Sequence, residues 1–249
     1  MRYCFSFILP LTMQFAENSS EELSPIFTWQ NIIEWAQTHY RDRIFAKDQQ
    51  IPTRPQLIYL VNKGAVRLVS HNHNSNEKIA ILDPDESEQD LNKESFLGFV
   101  GAEKPFEIVS QANFSVHAYA HVDRTQVAWL YWQDLEKWPN FRQELYESFR
   151  YQHQRKLLWL SALGQRKTID RLTSFLTLLV EEYGVEQETD CCLPYSLTHA
   201  QIGSAIGSTR VTVTRLMGKL RREGIIKVQS DNSICINSLR LAQVNKKTT

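Results

Sequence analysis

The alternation of apolar and polar positions divides the chain into a strand-rich middle flanked by helical segments. Trp29, Ile32, Ile33 and Ala36 recur at steps of three and four, the spacing that gathers them on one side of a helix. Between residues 44 and 130 the apolar runs shorten and polar turns separate them, predicting strands over 57–61, 64–70, 78–82, 114–120 and 126–131. Such spacing suits a β-roll. A helical signal returns over 132–138, where Pro139-Asn140 breaks that helix or starts the next. From 141 to 163 the pattern predicts one long helix with Phe141, Leu145, Phe149, His153, Leu157, Leu160 and Gly164 along one face. Its apolar members Phe141, Leu145, Phe149, Leu157 and Leu160 are expected to pair with a second copy of the chain.

The segment 198–220 carries the clearest chemistry. Thr198 is suited to cap a short helix, with Gln201 reaching back to its amide, and Ile202, Ala205 and Ile206 form an apolar stripe behind it. Gly207 permits a sharp turn. Ser208 or Thr209 then caps a second helix, on which Val213, Leu216, Met217 and Leu220 must face inward. At about 100° per residue, Val211, Arg215, Gly218 and Arg222 cluster on the opposite face, and Arg210 projects from the first turn. An apolar Val211 aimed at solvent between two arginines is out of place on an ordinary surface helix. A thymine methyl would satisfy it, as guanine O6 and N7 would satisfy a forked arginine.

The pattern is that of a helix-turn-helix DNA reader. Arg210 and Arg215 are candidates for guanine or phosphate contact, and Thr198, Thr209 and Thr212 for phosphate anchors. Ser208, Thr214 and Lys219 complete the DNA-facing set on this segment. Glu223-Gly224 ends the helix, and residues 225–237 predict a hairpin wing whose Lys227 reaches phosphate.

Composition agrees with that division of labour. The 249 residues are 42% hydrophobic and 22% charged with a net charge of zero, as in a folded globular chain rather than a disordered one. The balance hides an asymmetry: residues 209–249 hold nine Lys/Arg against two Asp/Glu, whereas 77–107 hold nine acids against three bases. The basic end is the nucleic-acid candidate. Cys4, Cys191, Cys192 and Cys235 show no CxxC spacing, so no metal site or cofactor is expected. Reduced thiols in a cytoplasmic protein fit that pattern, with Cys191 and Cys192 packed in a loop or at a strand edge. Arg2 and the apolar residues after it have the look of a short signal peptide but lack a convincing cleavage site. We expect a tail packed on the strand-rich middle, or a start at Met13.

Residues 207–216, Gly-Ser-Thr-Arg-Val-Thr-Val-Thr-Arg-Leu, resemble the recognition helix of the cyclic AMP receptor/FNR (Crp/Fnr) superfamily, most closely its cyanobacterial nitrogen-regulator branch. Residues 171–179 resemble the helix that opens the DNA-binding domain there, and residues 57–69 a strand pair of its sensor roll. The resemblance implies an α+β fold: a tail over 1–22, a cyclic-nucleotide-binding-like roll over 23–135, a dimerisation helix over 136–164, a winged helix-turn-helix over 165–240 and a tail over 241–249. It implies a homodimeric transcription regulator, not an enzyme, that reads a GTA…TAC-like palindrome and works with RNA polymerase. The cyclic-nucleotide grip is not matched. Gly98 stands at the expected glycine, but Phe99 replaces the glutamate, and Val116-His117 replaces arginine-serine. Gly98, Phe99 and His117 remain the candidate effector pocket. Phe114 and Gln152 fall where the nitrogen regulator places arginines for 2-oxoglutarate, so that effector is not implied either. His117, Arg124 and Arg155 read as surface or packing residues rather than as other anion contacts.

Two alternatives arise from other segments. His71, His73 and Glu77 match a cupin-like metal-ligand spacing for an enzyme, although their Asn/Ser surroundings predict a turn. The acidic stretch 83–90 would suit a protein partner, with DNA binding vestigial.

Overall fold

The computed structural model describes residues 28–71, 94–109, 115–187 and 189–237. Helix α1 (Trp29–Thr38) leads into strands β1 (Asp42–Phe45), β2 (Gln50–Ile51), β3 (Leu57–Lys63), β4 (Ala65–His71), β5 (Glu94–Gly101), β6 (Lys104–Phe106), β7 (Ser115–Ala120) and β8 (Thr125–Tyr131). A 3-10 turn (Trp132–Lys137) then opens the long helix α2 (Pro139–Leu163), with Pro139 in its first turn, where a missing N–H costs nothing. The chain continues through α3 (Thr168–Tyr183), β9 (Val185–Gln187), β10 (Asp190–Cys192), α4 (His199–Ile206), α5 (Arg210–Arg222), β11 (Ile226–Val228) and β12 (Ile234–Asn237).

Two antiparallel sheets, ordered β1-β8-β3-β6 and β2-β7-β4-β5, share one core and form the roll. The run 57–61 is apolar at every position because both of its faces are covered. Leu57, Tyr59 and Val61 join the interior of the roll, while Ile58 and Leu60 lie under α1 with Ile32, Ile33 and Leu135. Strands β1, β2, β5 and β6 escape the sequence pattern: the first two are short and half-polar, and β5 is interrupted by Gly98. The strand expected over 78–82, the side chains of His71, His73 and Glu77, Phe114, the acidic stretch 83–90 and both terminal tails lie outside the described residues.

The expected dimer face of α2 divides in two. Phe141 is fully buried and Leu145 nearly so, in the layer beneath α1, and Phe149 packs against the same layer beside Trp132. These three belong to their own chain, because α1 and the 3-10 turn cover the first half of α2, a tertiary fact that helical spacing does not contain. Leu157 and Leu160 remain 51% and 63% exposed, with Tyr146 and Leu158 also open. Tyr146, Arg150, His153, Leu157 and Leu160, all exposed, follow alternating steps of four and three, the period of a two-helix seam.

The cysteines also depart from expectation. A third sheet, β11-β12-β10-β9, places Cys192 and Cys235 as register partners on β10 and β12, with Cα atoms 4.0 Å apart, and a disulfide joins them. Cys191 is buried on the same strand. Strand pairing between residues 43 apart creates this proximity, so motif spacing has nothing to say about it.

Candidate nucleic-acid interface

The helix-turn-helix forms by the local chemistry its sequence contains. Thr198 Oγ1 accepts from the Gln201 amide at 3.1 Å, and the Gln201 side chain accepts from the Thr198 amide at 3.0 Å, completing a capping box on α4. Gly207 closes α4 in the left-handed conformation, φ 62°. Thr209, rather than Ser208, caps α5 by accepting from the Thr212 amide at 3.2 Å. Val213, Met217 and Leu220 are buried, as their spacing requires, and Leu216 packs at the margin of the same core.

The two glycines of the motif play different parts. A Cβ at Gly203 would stand 2.7 Å from the Ser208 carbonyl oxygen, whereas one at Gly207 would meet nothing within 4 Å. Gly203 is therefore needed for the close approach of α4 to the turn. Gly203→Ala should cost about 1–3 kcal/mol by overpacking, and Gly207→Ala only about 1 kcal/mol through its positive φ. Urea unfolding midpoints of the two variants check that order.

On the outer face, Val211 is 72% exposed and flanked by the exposed Arg210 and Arg215. Among the described residues these three side chains make no hydrogen bond or ion pair. The other candidates are engaged to differing degrees. Thr209 Oγ1 donates to Thr212 Oγ1 at 3.0 Å, and Thr214 Oγ1 donates to the Arg210 carbonyl while lying 2.8 Å from His199 Nδ1. Lys219 faces Glu223 one turn on, at 3.8 Å. Lys227 pairs with Asp190 across the third sheet, which offsets its charge. The cationic end of α5, with Lys219, Arg221 and Arg222, suits the negative end of the helix dipole.

Behind this face, the roll and the helix-turn-helix share a core. Phe96 and Phe99 of β5 are 5% exposed and lie in one cluster with Phe175, Tyr183, Ile202, Val213 and Leu220. The Phe96 amide donates to Ser204 Oγ at 2.8 Å, Ser204 donates to the Glu94 carbonyl at 3.1 Å, and Tyr183 donates to the Phe99 carbonyl at 2.8 Å. Phe99 thus belongs to the domain seam as well as to the candidate effector pocket. A Cβ at Gly98 would meet Lys156 and Trp159 of α2, and His117 instead pairs with Gln50 at 3.1 Å. Gly98 and Phe99 line one small cavity with Gln152 and Lys156, and His117 does not. Arg155 is spent on Glu181, Glu182 and the Leu178 carbonyl.

Ser204 and Arg171 tie the helix-turn-helix to its neighbours, and residue patterns pass over both. Arg171 Nε donates to the Ile206 carbonyl at the end of α4 and Nη1 to the Gln165 carbonyl at the α2–α3 junction, fixing the helix-turn-helix to the long helix. Only its place in the resembling helix 171–179 marks it in the sequence.

His121 completes the seam, with its ring 4.5 Å from that of Phe99 and Nε2 2.9 Å from the Ser196 carbonyl. Burial, opposed by that hydrogen bond, lowers its pKa from 6.5 to about 4. The unfolded chain takes up the proton first, so the contribution of the neutral ring is complete above pH 6.5 and is lost as pH falls through about 4. A loss of about 3 kcal/mol is expected over that range. Chemical unfolding of wild type and His121→Gln at pH 7 and pH 4 should show a shallower decline in the variant.

Comparisons with known proteins agree with this geometry. Residues 170–241 match the model of the Crp-like helix-turn-helix domain. Over 86 residues the chain is 36% identical to the Global nitrogen regulator of Synechococcus elongatus, a match covering 34% of this chain and 39% of that relative. The chain therefore spans about two fifths of the length of this curated relative. Among solved structures, FixK2 from Bradyrhizobium japonicum matches with TM-score 0.58 and 22% identity, covering 81% of this chain and 95% of that one. A cyclic nucleotide-binding domain containing protein from Listeria monocytogenes matches with TM-score 0.65 and 13% identity, covering 84% and 97%. Residues 170–241 are thus a Crp-like helix-turn-helix domain, set in a chain whose described fold is shared with these two structures.

Proposed function

We propose that the chain is a homodimeric, sequence-specific DNA-binding transcription regulator whose paired α5 helices read a GTA…TAC-like palindrome. The observation that carries this reading is the unpartnered outer face of α5, where Arg210, Val211 and Arg215 stand in solvent on a helix braced from behind by the seam. Arg210 and Arg215 contact guanine edges or nearby phosphates, and Val211 packs on a thymine methyl. Thr198, Thr209 and Thr212 meet phosphates alongside the N-termini of α4 and α5, where orphan amides favour anions. The dimer seam runs through Leu157 and Leu160, continued by Tyr146, Arg150 and His153. The chain works in the cytoplasm beside its DNA, and RNA polymerase is its partner by family resemblance alone.

The roll serves as a sensor that does not grip a cyclic nucleotide, since a buried phosphate needs a fixed cation and donors and Phe99 is committed to the seam. Selection of bound duplexes from a random library tests the function. An enriched two-fold palindrome is expected, and enrichment of none would overturn it.

A further inference from the structure

The disulfide between Cys192 and Cys235 bridges the two strands that bracket the helix-turn-helix: β10 lies just before α4 and β12 just after the wing. The loop it closes holds α4, α5 and β11, the whole DNA-reading unit. Both cysteines are about 1% exposed, yet the cover over them is thin. Their flanking strands β9 and β11 have three residues each, and Cys192 Sγ lies 3.6 Å from Nε2 of Gln229, an exposed residue at the base of the wing turn. Opening of that turn brings the sulfurs to solvent.

We propose that Cys192 and Cys235 form a reversible redox site that staples the reading unit when oxidised and frees it when reduced. The partner is a thiol–disulfide couple of the glutathione class. In the reducing direction a partner thiolate attacks one cysteine sulfur, the Cys192–Cys235 bond breaks, and the other cysteine leaves as a thiolate that takes a proton. A second partner thiol resolves the mixed disulfide, so two partner thiols become one disulfide and the two electrons reside on Cys192 and Cys235. A regulator sharing a compartment with DNA is exposed to such reductants, where disulfides are transient rather than permanent. That consequence rests on the DNA-binding reading, whereas the chemical site does not. Oxidation removes chain entropy from a long loop and so preorganises α4, α5 and the wing for DNA.

The test equilibrates the full chain in graded mixtures of reduced and oxidised glutathione, traps free thiols by alkylation and maps the peptides by mass. A Cys192–Cys235 link should form in oxidising mixtures and open in reducing ones, with the melting temperature of the oxidised chain higher by on the order of 10 °C. Cys192→Ala and Cys235→Ala should each abolish the Cys192–Cys235 link and the part of the shift that it carries. Oxidised protein should also bind the selected duplex several-fold more tightly than reduced protein. Failure to form the link in any mixture overturns the site, and equal affinity in the two states overturns its regulatory role. A link that forms in a chain unable to bind any duplex supports the site and counts against the DNA reading instead.

Discussion

Phe99→Ala is expected to destabilise the protein by about 3–5 kcal/mol, the cost of removing a buried aromatic whose surroundings cannot collapse fully. The ring has His121 at 4.5 Å, Tyr195 at 5.6 Å and Tyr183 edge-on at 6.1 Å, so its removal empties the point where the roll meets the helix-turn-helix. The loss should also uncouple the two halves. Wild type should unfold in urea as one transition and the variant as two, the first reporting the winged domain. Val109→Ala, at a position 62% exposed, should stay within about 0.5 kcal/mol of wild type. An equally mild result for Phe99→Ala would mean that the seam does not hold the reading head.

Arg210→Ala should cost about 1–3 kcal/mol per half-site, and therefore about 2–6 kcal/mol on a palindrome occupied by two chains. Among the described residues the exposed arginine side chain makes no hydrogen bond or ion pair, so folding stability should barely change on truncation. Base preference at the contacted position should relax, while affinity for random duplex falls little. Fluorescence anisotropy on selected and random duplexes separates these effects. An equal loss on both would make Arg210 a phosphate contact only. Lys227→Ala offers a contrast, because Lys227 is already paired with Asp190 and should matter much less.

Legibility from sequence followed the range of the interactions involved. The capping box at Thr198 and Gln201, the turn at Gly207 and the inward stripe of α5 are all settled within a few residues, and all appear as expected. The helical extent of α2 was legible for the same reason. What covers its first half was not, since there the stripe that suggested a partner chain is satisfied by α1, about a hundred residues earlier. Phe99 reads in the sequence only as the replacement of a glutamate, in a segment with no expected strand, and only tertiary packing gives it a role between domains. Cys192 and Cys235 likewise meet only through strand register. Even a correct resemblance located the pocket residues Gly98, Phe99 and His117 without foreseeing that His117 lies apart from the cavity lined by the other two.

The central claim is that two α5 helices read successive major grooves from one dimer, about 34 Å apart. The most direct measurement is an equilibrium titration of the selected palindrome against the same duplex with five base pairs inserted at its centre, which turns one half-site to the opposite face of the helix. Affinity for the lengthened duplex should drop to that for random DNA. Undiminished affinity would contradict paired reading by α5.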